Sequence, residues 1–177
     1  TRGGVALRFP EGRVRTMGRT AYGVRAITLR DGDEVVAMEL VGESGGMLTV
    51  TANGYGKRTP LTEYRITGRG GLGIRNIQPS DRNGPVVGIT HVTDDNQVLI
   101  ITKEGMVIRM AVAPLRPIGR STQGVRLIRL DDGDRVEALD HRCRQDGLGG
   151  GTEAGVLLRS GRHRRVPRQL EQHAARV

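Results

Sequence analysis

Twelve arginines stand in four columns that recur three times along this 177-residue chain. The columns are Arg8/Arg58/Arg109, Arg15/Arg65/Arg116, Arg19/Arg69/Arg120 and Arg25/Arg75/Arg126. A packed core calls for recurring apolar and glycine positions, and it has no need of recurring guanidiniums. Arginine carries a permanent charge on a planar fork of donors that suits phosphate oxygens. If the repeats stack about an axis, each column becomes a stripe of positive charge. A duplex could follow such a stripe by its backbone, with strong salt dependence and little sequence preference. The competing reading pairs these arginines with acids: residues 1–140 hold 20 Lys+Arg against 16 Asp+Glu. The acids cluster at turns such as Asp31-Gly-Asp33-Glu34 and Asp131-Asp-Gly-Asp134, which could occupy a different rim.

Other chemistry finds less support. Gly68-Arg-Gly70-Gly-Leu-Gly73 has the dinucleotide spacing G-x-G-x-x-G, but a strand-like Ile74-Arg-Asn-Ile77 follows where the fingerprint needs a helix. His141, Cys143, His163 and His173 show no paired ligand spacing, so no metal site is expected. Asp94-Asp95 and Asp131-Asp132 read as acidic turns. Cys143 lacks an identifiable oriented base, and no catalytic set can be assembled.

The elements that would carry the arginines come from an internal repeat with a period near 50. Thr1-Arg-Gly-Gly4, Thr51-Ala-Asn-Gly54 and Thr102-Lys-Glu-Gly105 align. So do Gly18/Gly68/Gly119, Gly23/Gly73/Gly124 and Ile27/Ile77/Ile128. One residue is inserted in the second copy, at the turn Asp81-Arg-Asn-Gly84. Each copy reads as about four short strands. In the second these are 47–52, 57–61, 72–78 and 85–92; in the third, 97–102, 106–112, 124–130 and 135–140. Asn53-Gly54 and Asn83-Gly84 are turn signals. Gly is 27 of 177, about twice the usual share of roughly 7%, as turn-rich β structure requires.

This predicts an all-β, propeller-like array of four-stranded blades, with the first copy's leading strand lying ahead of Thr1. The blades span about 1–45, 46–94 and 95–140. A basic Gly/Arg-rich tail, 141–177, follows with 8 arginines against 3 acids, and its Gly155-Val-Leu-Leu-Arg-Ser-Gly161 run suggests a partial fourth repeat.

The net charge of +9 points to a polyanionic partner. No apolar run has the roughly 18–20 residues of a membrane span, so no membrane partner is expected. Aromatics are 2% of the chain, too few for the base-stacking platforms of single-strand binders.

Several motifs resemble the C-terminal domain family of DNA gyrase A subunits. They are Asn53-Gly-Tyr-Gly-Lys-Arg-Thr-Pro60, Gly68-Arg-Gly-Gly-Leu-Gly73, Arg82-Asn-Gly-Pro-Val-Val-Gly88, Met17-Gly-Arg-Thr-Ala-Tyr-Gly-Val-Arg25 and Ile118-Gly-Arg-Ser-Thr-Gln-Gly-Val-Arg-Leu-Ile128. The resemblance implies a β-pinwheel, whose blades exchange a strand with a neighbour. It implies duplex DNA wrapped on the outer rim, in support of ATP-dependent negative supercoiling. It makes Arg8, Arg19, Arg25, Lys57, Arg58, Arg69, Arg75, Arg109, Arg120 and Arg126 the candidate DNA-binding residues. It implies as partners the rest of a dimeric gyrase A subunit, together with the ATPase subunit, in a bacterial cytoplasm. No cofactor is expected in this chain; ATP and Mg belong to the whole complex. The family's box motif, Gln-Arg-Arg-Gly-Gly-Lys-Gly, is echoed only by Arg69-Gly-Gly-Leu-Gly73. The related domain of the topoisomerase IV A protein and a propeller-like interaction scaffold remain the alternatives.

Overall fold

Alternating Val, Ile, Leu and Thr residues, punctuated by glycine turns, generate the strands of this chain. The computed structural model describes residues 1–142. The strands, all antiparallel, are β1 (Val5–Ala6), β2 (Gly46–Thr51), β3 (Tyr55–Pro60), β4 (Ile74–Arg75), β5 (Val86–Val92), β6 (Gln97–Thr102), β7 (Val107–Ala111), β8 (Val125–Arg126) and β9 (Val136–Arg142). Two short 3-10 turns, Glu11–Arg13 and Leu61–Glu63, complete the regular structure of the described residues.

The sheets do not follow the repeat boundaries. One sheet has the order β5-β2-β3-β8, another β7-β6-β9, and β1 pairs with β4. Strand β8 belongs to the third copy but pairs with β3 of the second, matching Tyr55 to Arg126 and Gly56 to Val125. Likewise β4 of the second copy pairs with β1 of the first, matching Val5 to Arg75 and Ala6 to Ile74. The Gly-Ile-Arg and Gly-Val-Arg segments of the second and third units are thus lent to the preceding unit, and the fold is an all-β propeller with exchanged strands.

Turn glycines fix these junctions. Gly54 has φ +78°, and its carbonyl accepts the amides of Leu127 (2.9 Å) and Ile128 (3.2 Å). Gly4, with φ +80°, accepts those of Asn76 (2.8 Å) and Ile77 (3.2 Å) in the same way. The second residue of each pair is drawn under the turn, and Ile77 and Ile128 are buried as a result.

The main core lies between the second and third units. Leu48, Val50 and Val92 pack with Val98, Ile100, Val112, Ile128 and Val136. Each fully buried aliphatic of this kind contributes about 1.5–3 kcal/mol. Strand β5 alternates as a half-covered strand should, with Val86, Gly88, Thr90 and Val92 buried.

The first unit departs from the four-strand expectation. Only β1 forms, and residues 14–44 carry no strand. In the second unit β2 lies between β3 and β5 and pairs with both. The stretch 35–41 joins no ladder among the described residues, and Met38 and Leu40 are 62% and 64% exposed. The run 155–161, Cys143, His163 and His173 lie outside the described residues.

Candidate nucleic-acid interface

The four arginine columns have different fates. In the first, Arg8 donates to the Leu61 carbonyl at 3.0 Å, Arg58 pairs with Asp94, and Arg109 donates to Gln97. These guanidiniums are engaged within the protein, and the Arg58 side chain is only 11% exposed. In the Arg19/Arg69/Arg120 column, Arg69 reaches the carbonyls of Arg13 (2.8 Å) and Arg25 (3.0 Å). Arg120 reaches the carbonyl of Arg75 at 3.2 Å and stands 3.9 Å from Glu63. Arg19 is exposed and has no partner among the described residues.

In the last column, Arg25 and Arg75 are exposed with free guanidiniums, whereas Arg126 donates to the Tyr55 hydroxyl at 2.9 Å. Arg82 lies over the same ring, 4.9 Å from its centroid. Hydrogen bonding to Arg82 and then Arg126 draws the Tyr55 hydroxyl below its ordinary pKa. Arg15, Arg65 and Arg116 are all exposed, and none has a side-chain partner among the described residues. This column recurs in the sequence as regularly as the others, yet the resemblance did not single it out as DNA-binding. Arg30 has no counterpart in the other copies, so the repeat gives no signal for it.

Lys57 sits elsewhere than a surface cation would. It is 1% exposed, and its ammonium donates to the Gly119 carbonyl at 2.7 Å across the junction of the second and third units. Loss of hydration there, with repulsion from Arg120 second, lowers its pKa to about 8. The unfolded chain therefore holds more protons than the folded one between about pH 8 and 10.5, and Lys57 makes stability rise with pH across that window. Lys57→Met is expected to flatten this rise, seen as a shrinking of the wild-type gain in denaturant midpoint between pH 8 and 10.5. An equal rise in both proteins would show that Lys57 is not the group responsible.

The arginines converge on clefts. Arg8, Arg65 and Arg69 line one of about 500 Å³, together with Leu7 and Leu72. Arg30 and Arg75 line another of about 410 Å³, which shares Leu72, Gly73 and Ile74 with the first. Neither lining contains a carboxylate. Ion pairs join Arg2 to Glu34, Arg58 to Asp94 and Arg120 to Glu63. The turn acids therefore leave most arginines uncompensated by direct contact. No group of three potential metal ligands occurs among the described residues, and no helix there is long and apolar enough to cross a membrane.

A repeat-built propeller with exchanged strands and basic, acid-free clefts defines the class. The chain belongs to the family described as "DNA gyrase C-terminal domain, beta-propeller", whose model matches residues 1–41, 47–91 and 96–140. It is 49% identical over 135 residues to the DNA gyrase A subunit of Staphylococcus aureus strain MRSA252, and the same figure holds for strain NCTC 8325. That match covers 75% of this chain and 15% of the relative, so the chain spans a small part of the curated relatives it matches. A solved DNA gyrase A C-terminal domain superposes with a TM-score of 0.73 at 27% identity, covering 78% of this chain and 47% of that one. The C-terminal domain of DNA topoisomerase IV superposes with a TM-score of 0.76 at 22% identity, covering 82% and 46%, a likeness of fold alone.

Proposed function

We propose that this chain binds duplex DNA through its phosphates and wraps it, as part of a gyrase A subunit. The observation that carries this reading is the pair of adjoining clefts with five arginines and no carboxylate in their linings. Like charges held together without counter-charge are a standing cost, which an incoming polyanion relieves. Arginine forks supply the two parallel bonds a phosphate accepts, and they carry no base information. In the whole enzyme the wrap would present a DNA segment for passage in one direction, in support of ATP-dependent negative supercoiling. The implied partners are the remainder of the dimeric gyrase A protein together with the ATPase subunit, where ATP with Mg acts. A bacterial cytoplasmic setting follows from the same reading. The 49% identity to a gyrase A subunit favours this over the topoisomerase IV alternative.

A salt titration tests the reading. Six arginines of the recurring columns are exposed with no side-chain partner among the described residues: Arg15, Arg19, Arg25, Arg65, Arg75 and Arg116. At about 0.9 per phosphate neutralised, six contacts give a slope of log K against log salt near −5. A linear duplex should show that slope with little sequence preference, and a mixed-sequence single strand should bind more weakly. Flat binding in a folded sample would favour the interaction-scaffold alternative.

A further inference from the structure

We infer that the Gly-Arg loop of the second and third units is a latch that positions a phosphate-binding arginine of the unit before it, so that Arg120 acts through Arg75 and Arg69 through Arg25. This rests on the duplex reading above and divides the arginines into two kinds of work.

Three contacts recur at both junctions. Arg69 donates to the Arg25 carbonyl (3.0 Å), as Arg120 does to that of Arg75 (3.2 Å). The Gly70 amide donates to Ala26 (2.7 Å), as Ser121 does to Asn76 (3.2 Å). The Thr28 amide donates to Gly71, as Gln78 does to Thr122, each at 2.9 Å. Each loop thus grips a short stretch of backbone, 25–28 or 75–78, whose first residue, Arg25 or Arg75, has a free side chain. The arginine that makes the grip has turned its fork toward protein carbonyls.

Backbone conformation shows that the grip is imposed. Gly70 has φ +77°, and its counterpart Ser121 has φ +61°. Ser121 is the only non-glycine with positive φ among the described residues, a state that costs an L-residue about 1–2 kcal/mol. The unfavourable turn at Ser121 occurs where its amide meets the Asn76 carbonyl. A phosphate ligand would need no such turn, and would tolerate lysine. A carbonyl latch depends on the length and planar fork of arginine.

The test is a double-mutant cycle on duplex affinity at 0.1 M salt. Arg75→Gln should cost about eightfold and make the salt slope shallower by about 0.9. Arg120→Lys, which keeps the charge, should cost part of that factor, and should cost nothing further once Arg75 is Gln. Amide exchange without DNA gives a second readout: Ser121 and Gln78 should lose protection in Arg120→Lys and keep it in Arg75→Gln. Arg69→Lys with Arg25→Gln repeats the cycle at the other junction, should the first set unfold. Full affinity in Arg120→Lys, or equal losses that multiply in the double mutant, would make Arg120 a phosphate ligand and overturn the positioning role. Unchanged amide protection would overturn the latch itself. Salt-independent binding by the wild-type chain would overturn the duplex reading and the positioning role with it, while the exchange data would still decide the latch.

Discussion

Replacing Arg15, Arg65 and Arg116 together with glutamine is expected to weaken duplex binding about 500-fold at 0.1 M salt. The figure follows from three lost phosphate contacts, each worth about 0.9 in the slope of log K against log salt. The slope should become shallower by about 2.7. Stability should hardly move, because all three side chains are exposed and none has a partner among the described residues. Surface changes of this kind usually fall within about 0.5 kcal/mol. Lysine at the same positions should restore most of the affinity, since a point charge also binds phosphate. Arg58→Gln makes the contrast. It breaks the pair with Asp94, whose charge then stands free, and removes a guanidinium already turned inward. Its salt slope should stay near that of the wild type. The measurement is a set of duplex titrations at several salt concentrations, with denaturant unfolding as the control. An unchanged slope in the triple variant would remove this column from the interface.

Where sequence reading succeeded, the physics was local or periodic. The turn glycines recur because each junction needs a positive φ above the next unit's Ile77 or Ile128. The long strands were legible to within one or two residues: the expected 85–92 and 97–102 correspond to Val86–Val92 and Gln97–Thr102, and 57–61 and 135–140 to Tyr55–Pro60 and Val136–Arg142. The segment 72–78 proved only a two-residue strand, Ile74–Arg75, because its partner β1 is equally short.

The candidate interface reads in the sequence as a set of columns, and the different placements of their arginines do not show there. Nothing in the type or spacing of Arg69 and Arg120 says that their donors meet carbonyls, because a main-chain acceptor leaves no mark in the sequence. Lys57 misleads for a related reason. Its type suggests solvent, but the strand exchange covers it, and the Gly119 carbonyl of the next unit takes its charge. A hint lay in the register: the counterparts of Lys57 are Leu7 and Ile108, so the column is an apolar one.

The strand exchange between the second and third units has a weak point at Gly124, and Gly124→Ala is expected to expose it with a loss of about 3 kcal/mol or more. Gly124 has φ +77°, where a side chain costs about 1–2 kcal/mol before any contact is counted. A Cβ there would lie 2.6 Å from the Gly56 oxygen and 2.9 Å from its carbonyl carbon. Both are backbone atoms of β3, held on the other side by β2, so they cannot swing away as a side chain would. Gly56 has no room either: its own Cβ would lie 2.4 Å from the Thr49 oxygen. The only relief is for β8 to leave β3, which gives up the Gly56–Val125 and Tyr55–Arg126 pairing and uncovers Ile128 from the core. Gly119→Ala serves as the control from the same loop region, because nothing lies within 4 Å of its Cβ and its φ is not in the positive range. That variant should stay within about 0.5 kcal/mol of the wild type. Denaturant unfolding monitored by far-UV circular dichroism compares the two. If Gly124→Ala is as stable as Gly119→Ala, then β8 is not clamped on β3, and strand exchange does not hold the second and third units together.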